Sequence, residues 1–151
     1  MAASPTADTH QQREFDVLIE RPYHYDMPKA ALPDRSEEQI QALFIGRLRN
    51  VAPRVRVVAS LNGVRTSRSQ ALKAKRTGMS KGFPDTQCLA GGGLCAFIEF
   101  KAKDGSLSDE QTAWLNFLHG CGFPVAVCRH PDTAIEWLRA QGFPFMERLA
   151  A

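Results

Sequence analysis

No window of this 151-residue chain holds enough uninterrupted apolar residues to span a bilayer. The opening Met-Ala-Ala-Ser-Pro lacks the apolar core of a secretory signal, so a soluble cytoplasmic protein is expected. Cysteine is scarce and poorly spaced for metal or disulfide chemistry. Cys88 and Cys95, like Cys121 and Cys128, are separated by six residues rather than two, in apolar settings or beside glycine. They read as reduced packing thiols, not as a zinc site or a disulfide framework. His10, His24, His119 and His130 show no ligand spacing and are assigned no role. Internal repeats and low-complexity segments are absent as well. The most telling absence is local: no acidic residue occurs from Gln39 to Pro84.

That acid-free block carries ten positive charges, on Arg47, Arg49, Arg54, Arg56, Arg65, Arg68, Lys73, Lys75, Arg76 and Lys81. The remaining nine basic residues share the rest of the chain with all sixteen acids. A net charge of +3 decides nothing, but a one-signed block of this size points to a polyanion such as nucleic acid. The competing reading is a solvated charged face.

The length suits one domain with a real core. Residues 1–35 mix Pro, Ala, Asp and isolated aromatics and read as a partly disordered N-terminal extension. Within it, Phe15-Asp-Val-Leu-Ile suits a short strand and Arg21-Pro-Tyr-His-Tyr an extended arm. The domain proper, 36–151, opens with Ser36-Glu37-Glu38-Gln39, a capping box at a helix N-terminus. Ile40, Leu43, Phe44, Leu48 and Val51 recur at helical spacing and define its buried stripe. Glu37 falls near the middle of that stripe and Glu38 well off it. Acids favour a helix N-terminus through the macrodipole, which explains Glu38 better than Glu37.

Arg54 to Ala59 suits a strand, Leu61-Asn-Gly-Val a turn, and Ser67 to Arg76 a short basic helix stopped by Gly78. A hairpin follows. Ser108 opens a helix with Trp114, Leu115, Phe117 and Leu118 as its apolar part. Pro124 to Cys128 reads as a buried strand, and Pro131 to Gln141 as a last helix ended by Gly142-Phe-Pro. The order predicts a mixed α/β domain with a central sheet flanked by helices.

The hairpin carries the chemistry. Gly91-Gly92-Gly93 must be a turn, because glycine reaches positive φ freely and has no side chain to pack. With the turn centred on Gly92, Asp85 lies seven residues before it and Glu99 seven after. The two carboxylates then oppose each other, with Cβ atoms about 5 Å apart. Like charges so placed need a cation between them. Lys101 shares the face of Glu99 by the strand's period of two. Two carboxylates and an ammonium at a hairpin base suit a divalent-metal site.

Together Gly82-Phe83-Pro84-Asp85, the glycine hairpin and Ile98-Glu99-Phe100-Lys101 resemble the PD-(D/E)xK nuclease signature. Further features resemble its VRR-NUC branch: Ser36-Glu37-x-Gln-Ile-Gln41, Asn62-Gly63 before a basic helix, Gly78-x-x-x-Gly82-x-Pro-Asp85, and Leu107-Ser-x-x-Gln111. The similarity covers roughly residues 36 to 130. It implies a restriction-endonuclease-like α/β core and phosphodiester cleavage of DNA with Mg²⁺ or Mn²⁺. It further implies that Glu37, Asp85 and Glu99 are metal ligands, joined by the main-chain carbonyl of Phe100. Lys101 would be the catalytic lysine and Gln111 an accessory residue. Small stand-alone members, of phage and bacterial type, form homodimers that look like Holliday junction resolvases. The N-terminal extension and the region after Asp132 receive no role from the resemblance.

Some residues keep two readings. Lys101 has an alternative in Lys103 on the same face, or simply pairs with Glu99; Lys101 is favoured as catalytic. Gln111 is either a site residue or the closing member of the capping box that Ser108 begins. Asn62 reads as a turn residue. Arg65, Arg68, Lys73, Lys75, Arg76 and Lys81 are the expected DNA phosphate contacts. The triple glycine is no nucleotide cradle, since no Lys-Ser/Thr follows and no helix opens there. The expected function is a metal-dependent DNA endonuclease, with branched DNA a candidate substrate. The alternative is a catalytically inactive nucleic-acid-binding module of the same fold.

Overall fold

A computed structural model describes residues 22–60 and 67–147. The expected strand at Phe15, the turn at Asn62-Gly63, and Arg65 lie outside these residues. The described elements are β1 (His24–Tyr25), α1 (Glu37–Val51), β2 (Arg56–Ala59), α2 (Arg68–Arg76), β3 (Thr86–Ala90), β4 (Leu94–Phe100), α3 (Asp109–Gly120), β5 (Val125–Cys128) and α4 (Pro131–Ala140). Each of α1, α2 and α3 starts with the same device. The serines at 36, 67 and 108 accept the amide of the glutamine three residues on, whose side chain returns to the serine amide. His130 caps α4, with Pro131 in the first turn, where its missing N–H costs nothing.

The strands form one mixed sheet in the order β1-β5-β4-β3-β2. β2, β3 and β4 run antiparallel in turn, while β5 is parallel to β4 and β1 parallel to β5. The chain is thus the expected mixed α/β sheet flanked by helices. Gly91–Gly93 make a single 3₁₀ turn between β3 and β4, with Gly92 and Gly93 at φ of 77° and 75°.

Alternation along β4 sorts the core. Ala96, Ile98 and Phe100 face α1 and α4, packing with Ile40, Phe44, Leu48 and Leu138. Phe97 faces the other way, with Leu115 and Leu118 of α3 and Tyr23. Phe44 and Phe100 meet at 5.3 Å between ring centroids. Burying each such large side chain contributes roughly 1.5–3 kcal/mol. Two positions depart from the expected stripes. Leu43 is 36% exposed and Phe117 61% exposed, because each helix is wetted on the edge of its apolar face.

The segment before α1 does more than extend the chain. His24–Tyr25 adds the edge strand beside β5, Tyr23 is buried, and the Asp26 amide donates to the Val127 carbonyl at 2.9 Å. No described helix is long and apolar enough to cross a membrane.

Candidate functional site

The β3–β4 register pairs Thr86 with Ile98, so Asp85 and Glu99 stand level one step beyond the last ladder pair. They are locked reciprocally. The Asp85 amide donates to Glu99 Oε2 at 3.2 Å, and the Phe100 amide donates to Asp85 Oδ2 at 2.8 Å. Glu99 lies on the central strand, beneath the start of α3, and is 1% exposed.

Burial has a direct electrostatic result. Loss of water, and then the charge of nearby Asp85, push the Glu99 carboxyl up to about 8, although Lys101 opposes this. Asp85 is raised as well, chiefly by burial, against the pull of the Phe100 amide and of Lys101. The pair resists carrying two negative charges in its present surroundings.

Lys101 follows β4 and is itself nearly buried. Its Nζ lies 3.3 Å from Glu37 Oε1 and 3.4 Å from Glu99 Oε1. The first turn of α1 therefore brings Glu37, 62 positions before Glu99 in sequence, to the same ammonium. Glu37 is about half exposed, at the rim rather than inside the core. Lys103 lies past the end of β4, where strand alternation has stopped, and its carbonyl faces the Arg129 guanidinium at 3.4 Å.

Gln111 joins the cluster from α3, donating from Nε2 to Glu99 Oε1 at 2.5 Å. Two nearby contacts hold α3 in place against the loop before Asp85. Trp114 donates to Ser80 Oγ at 3.0 Å, and Lys81 pairs with Glu110 at 3.1 Å. Gly82, at φ 84°, passes so close to α3 that a Cβ there would stand 2.6 Å from the Glu110 carbonyl carbon.

The donor set suits a hard divalent cation. Asp85, Glu99 and Glu37 offer carboxylate oxygens, and the Phe100 peptide lies directly against Asp85. Mg²⁺ and Mn²⁺ prefer such oxygen ligands, and a cation here would relieve the crowding that holds the Glu99 proton.

Among the described residues, the expected phosphate contacts lie on α2 and just beyond it. No residue of α2 is buried, and Arg68, Lys73, Lys75 and Arg76 are all exposed on it. Lys81, beyond the helix, is exposed and pairs with Glu110 at the surface.

Arg129 is the residue that sequence reading passed over. It is 2% exposed, and its guanidinium donates to the carbonyls of Ala102 at 2.6 Å and Gly105 at 2.7 Å. It also donates to the Asp26 carbonyl and the Tyr25 hydroxyl, each at 2.8 Å. The loop after Lys101 is thereby fastened to β1. A Cβ at Gly105 would lie 3.4 Å from Glu37 Oε1, so this loop forms the wall behind Glu37. No local motif marks Arg129, since its partners lie more than twenty residues away.

A family model for the VRR-NUC domain matches residues 34–131. A solved structure described as a VRR_NUC domain protein is similar in fold, with a TM-score of 0.56 and 20% identity over 74% of this chain and 90% of that one. No curated protein matches. The matched segment runs from just before α1 to the start of α4 and takes in Glu37, Asp85, Glu99, Lys101 and Gln111. With about two thirds of its length matched, the chain belongs to the VRR-NUC family.

Proposed function

We propose that this protein is a Mg²⁺- or Mn²⁺-dependent DNA endonuclease whose site is Glu37, Asp85, Glu99, Lys101 and Gln111. Family membership implies a nuclease-type function. The finer reading rests chiefly on one observation: a buried carboxylate, lifted to about 8, locked against a second carboxylate and within 3.4 Å of a lysine. A protein that only bound nucleic acid would gain nothing by crowding acids where phosphates approach.

Asp85, Glu99, Glu37 and the carbonyl of Phe100 would hold the cation. Such an ion would supply Lewis-acid chemistry there, polarising a phosphoryl oxygen and making water more acidic. The remaining work falls to the chain. Lys101 orients the attacking water or offsets charge developing on the phosphate. Gln111 fixes the Glu99 carboxylate through its 2.5 Å hydrogen bond. The half-exposed Glu37 marks the side open to the scissile phosphate, with the loop at Gly105 behind it. Arg68, Lys73, Lys75, Arg76, Lys81 and Arg65 grip the flanking backbone. On this reading the protein acts as a homodimer, with branched DNA such as a Holliday junction a candidate substrate, as the family resemblance implies.

The test is a cleavage panel of four-way junctions, flaps, linear duplex and single strands with Mg²⁺ and with Mn²⁺. Wild type cuts at least one substrate, junctions best, and Asp85→Ala abolishes cutting while binding survives. Binding without cleavage of any substrate in either metal would establish the inactive binding module instead. Sedimentation of the same preparation checks the dimer.

A further inference from the structure

We propose that His24, Asp26 and Cys128 form a second cation site, one that takes Zn²⁺ and ties the edge strand β1 to β5. The site does not depend on the nuclease reading, and its ligands differ in kind from the carboxylates at Glu99. One donor atom from each of the three residues, an imidazole nitrogen, a carboxylate oxygen and a thiol sulfur, lies within 4.8 Å of the other two. Zn²⁺ binds such donors at about 2.0–2.3 Å, so a single ion reaches all three with small adjustments.

The fold builds this grouping. β1 runs parallel to β5 with Tyr25 opposite Val127, so Asp26 is level with Cys128 and their side chains share a face. His24 is two residues earlier on that face, its Nε2 2.7 Å from Asp26 Oδ1. Asp26 is already oriented as a one-oxygen ligand. Its Oδ2 accepts the Arg129 amide at 2.9 Å and the Thr133 hydroxyl, which leaves Oδ1 turned towards His24. Hydrogen bonds of this kind, made by the unused atom of a ligand, are what fix metal-binding carboxylates in place. The buried Arg129 guanidinium does not compete, because its hydrogen bonds go to carbonyls and to the Tyr25 hydroxyl.

Cys128 is fully buried and uncrosslinked, and its sulfur provides the selectivity. A thiolate favours Zn²⁺ or Co²⁺ over Mg²⁺ and Mn²⁺. On binding, the S–H proton leaves to solvent and a sulfur–metal bond replaces it.

The experiment uses the full chain, reduced and stripped with chelator, then titrated with Co²⁺. The expected result is a thiolate-to-cobalt charge-transfer band that saturates and is displaced by Zn²⁺. Cys128→Ser removes the band. His24→Ala weakens Co²⁺ binding by at least about tenfold and cancels the rise in Tm that Zn²⁺ gives wild type, each read against the variant's own metal-free Tm. Asp85→Asn and Glu99→Gln leave the band intact, which separates this site from the carboxylate one. The proposal falls if no charge-transfer band forms, if the band survives Cys128→Ser, or if His24→Ala binds as wild type does.

Discussion

Gln111 donates from Nε2 to Glu99 Oε1 at 2.5 Å while its own Oε1 accepts the Ser108 amide at 2.9 Å. One side-chain amide thus closes the cap of α3 and holds the buried carboxylate. The two roles are separable by substitution. Gln111→Glu keeps an acceptor for Ser108 but removes the donor and adds a carboxylate beside Glu99. DNA cleavage should fall at least about tenfold, as for other residues that orient a metal ligand. Gln111→Ala should lose both, with a further ~0.3–1.5 kcal/mol from the broken cap, read by urea denaturation. Wild-type cleavage by Gln111→Glu would reduce Gln111 to a capping residue.

Stability should fall with rising pH in chelator. The Glu99 carboxyl rises from 4.5 to about 8 on folding, because of burial and then Asp85. Between those values the native chain holds a proton that the unfolded chain has released. Stability from this source is therefore fully present below about 4.5 and is lost as pH rises through 8. Asp85, also raised, acts in the same direction. Glu99→Gln cannot ionise, so its Tm should exceed that of wild type at pH 8 while cleavage disappears. Equal Tm values for the two proteins at that pH would contradict the assignment.

Gly82→Ala should strain the approach of the Asp85 loop to α3. The new Cβ would meet the Glu110 carbonyl carbon at 2.6 Å and the Gln111 amide nitrogen at 2.7 Å, from a φ of 84°. Backbone cannot yield as a flexible side chain does, so roughly 1–3 kcal/mol of stability should be lost. Because Gln111 is one of the displaced residues, cleavage measured well below the Tm should drop too. Gly78→Ala, at φ 97° but with nothing within 4 Å of its added Cβ, carries the backbone strain without the clash and so separates the two.

Replacing Lys73, Lys75 and Arg76 together by Gln should weaken DNA binding on every sequence alike. The slope of log affinity against log salt should flatten by up to roughly 0.9 for each duplex phosphate that the protein no longer neutralises. Folding stability should hardly change, because α2 buries none of its residues. An unchanged salt slope would move the DNA elsewhere on the protein.

Arg129→Lys should fail to rescue Arg129→Met. The guanidinium reaches carbonyls of Asp26, Ala102 and Gly105 in one planar fork, which a single ammonium cannot copy. Leaving such half-buried carbonyls unpaired costs about 1–3 kcal/mol for each that water cannot reach. Both variants should unfold at lower urea, and their residual activity should be impaired through the loop behind Glu37. Full stability of Arg129→Lys would mean that the charge alone suffices.

Much of the site was legible because its determinants are local. Strand register follows from counting outward from the glycine turn, and that count set Asp85 level with Glu99 before any packing was known. Lys101 followed from the period of two. The serine and glutamine pairs at α1 and α3 announced those helix starts, and the acid-free run from Gln39 to Pro84 marked the basic surface. Glu37 was singled out by the periodicity of α1, yet only the fold shows it at the rim with Lys101 between it and Glu99.

Tertiary structure alone decided what depends on residues distant in sequence. Nothing near Arg129 announces partners 24 to 104 residues away. Nothing in the spacing of His24, Asp26 and Cys128 suggests that pairing a two-residue strand with β5 would gather them. Leu43 and Phe117 matched their helical stripes but remained exposed, since periodicity names a face and not how much of it a neighbour covers. The sequence by itself determined the elements, their caps and the opposed acids of the hairpin, because hydrogen bonding and side-chain alternation act over a few residues. The burial that raises Glu99, and the clamp around Arg129, come from segments brought together only by packing the sheet against its helices.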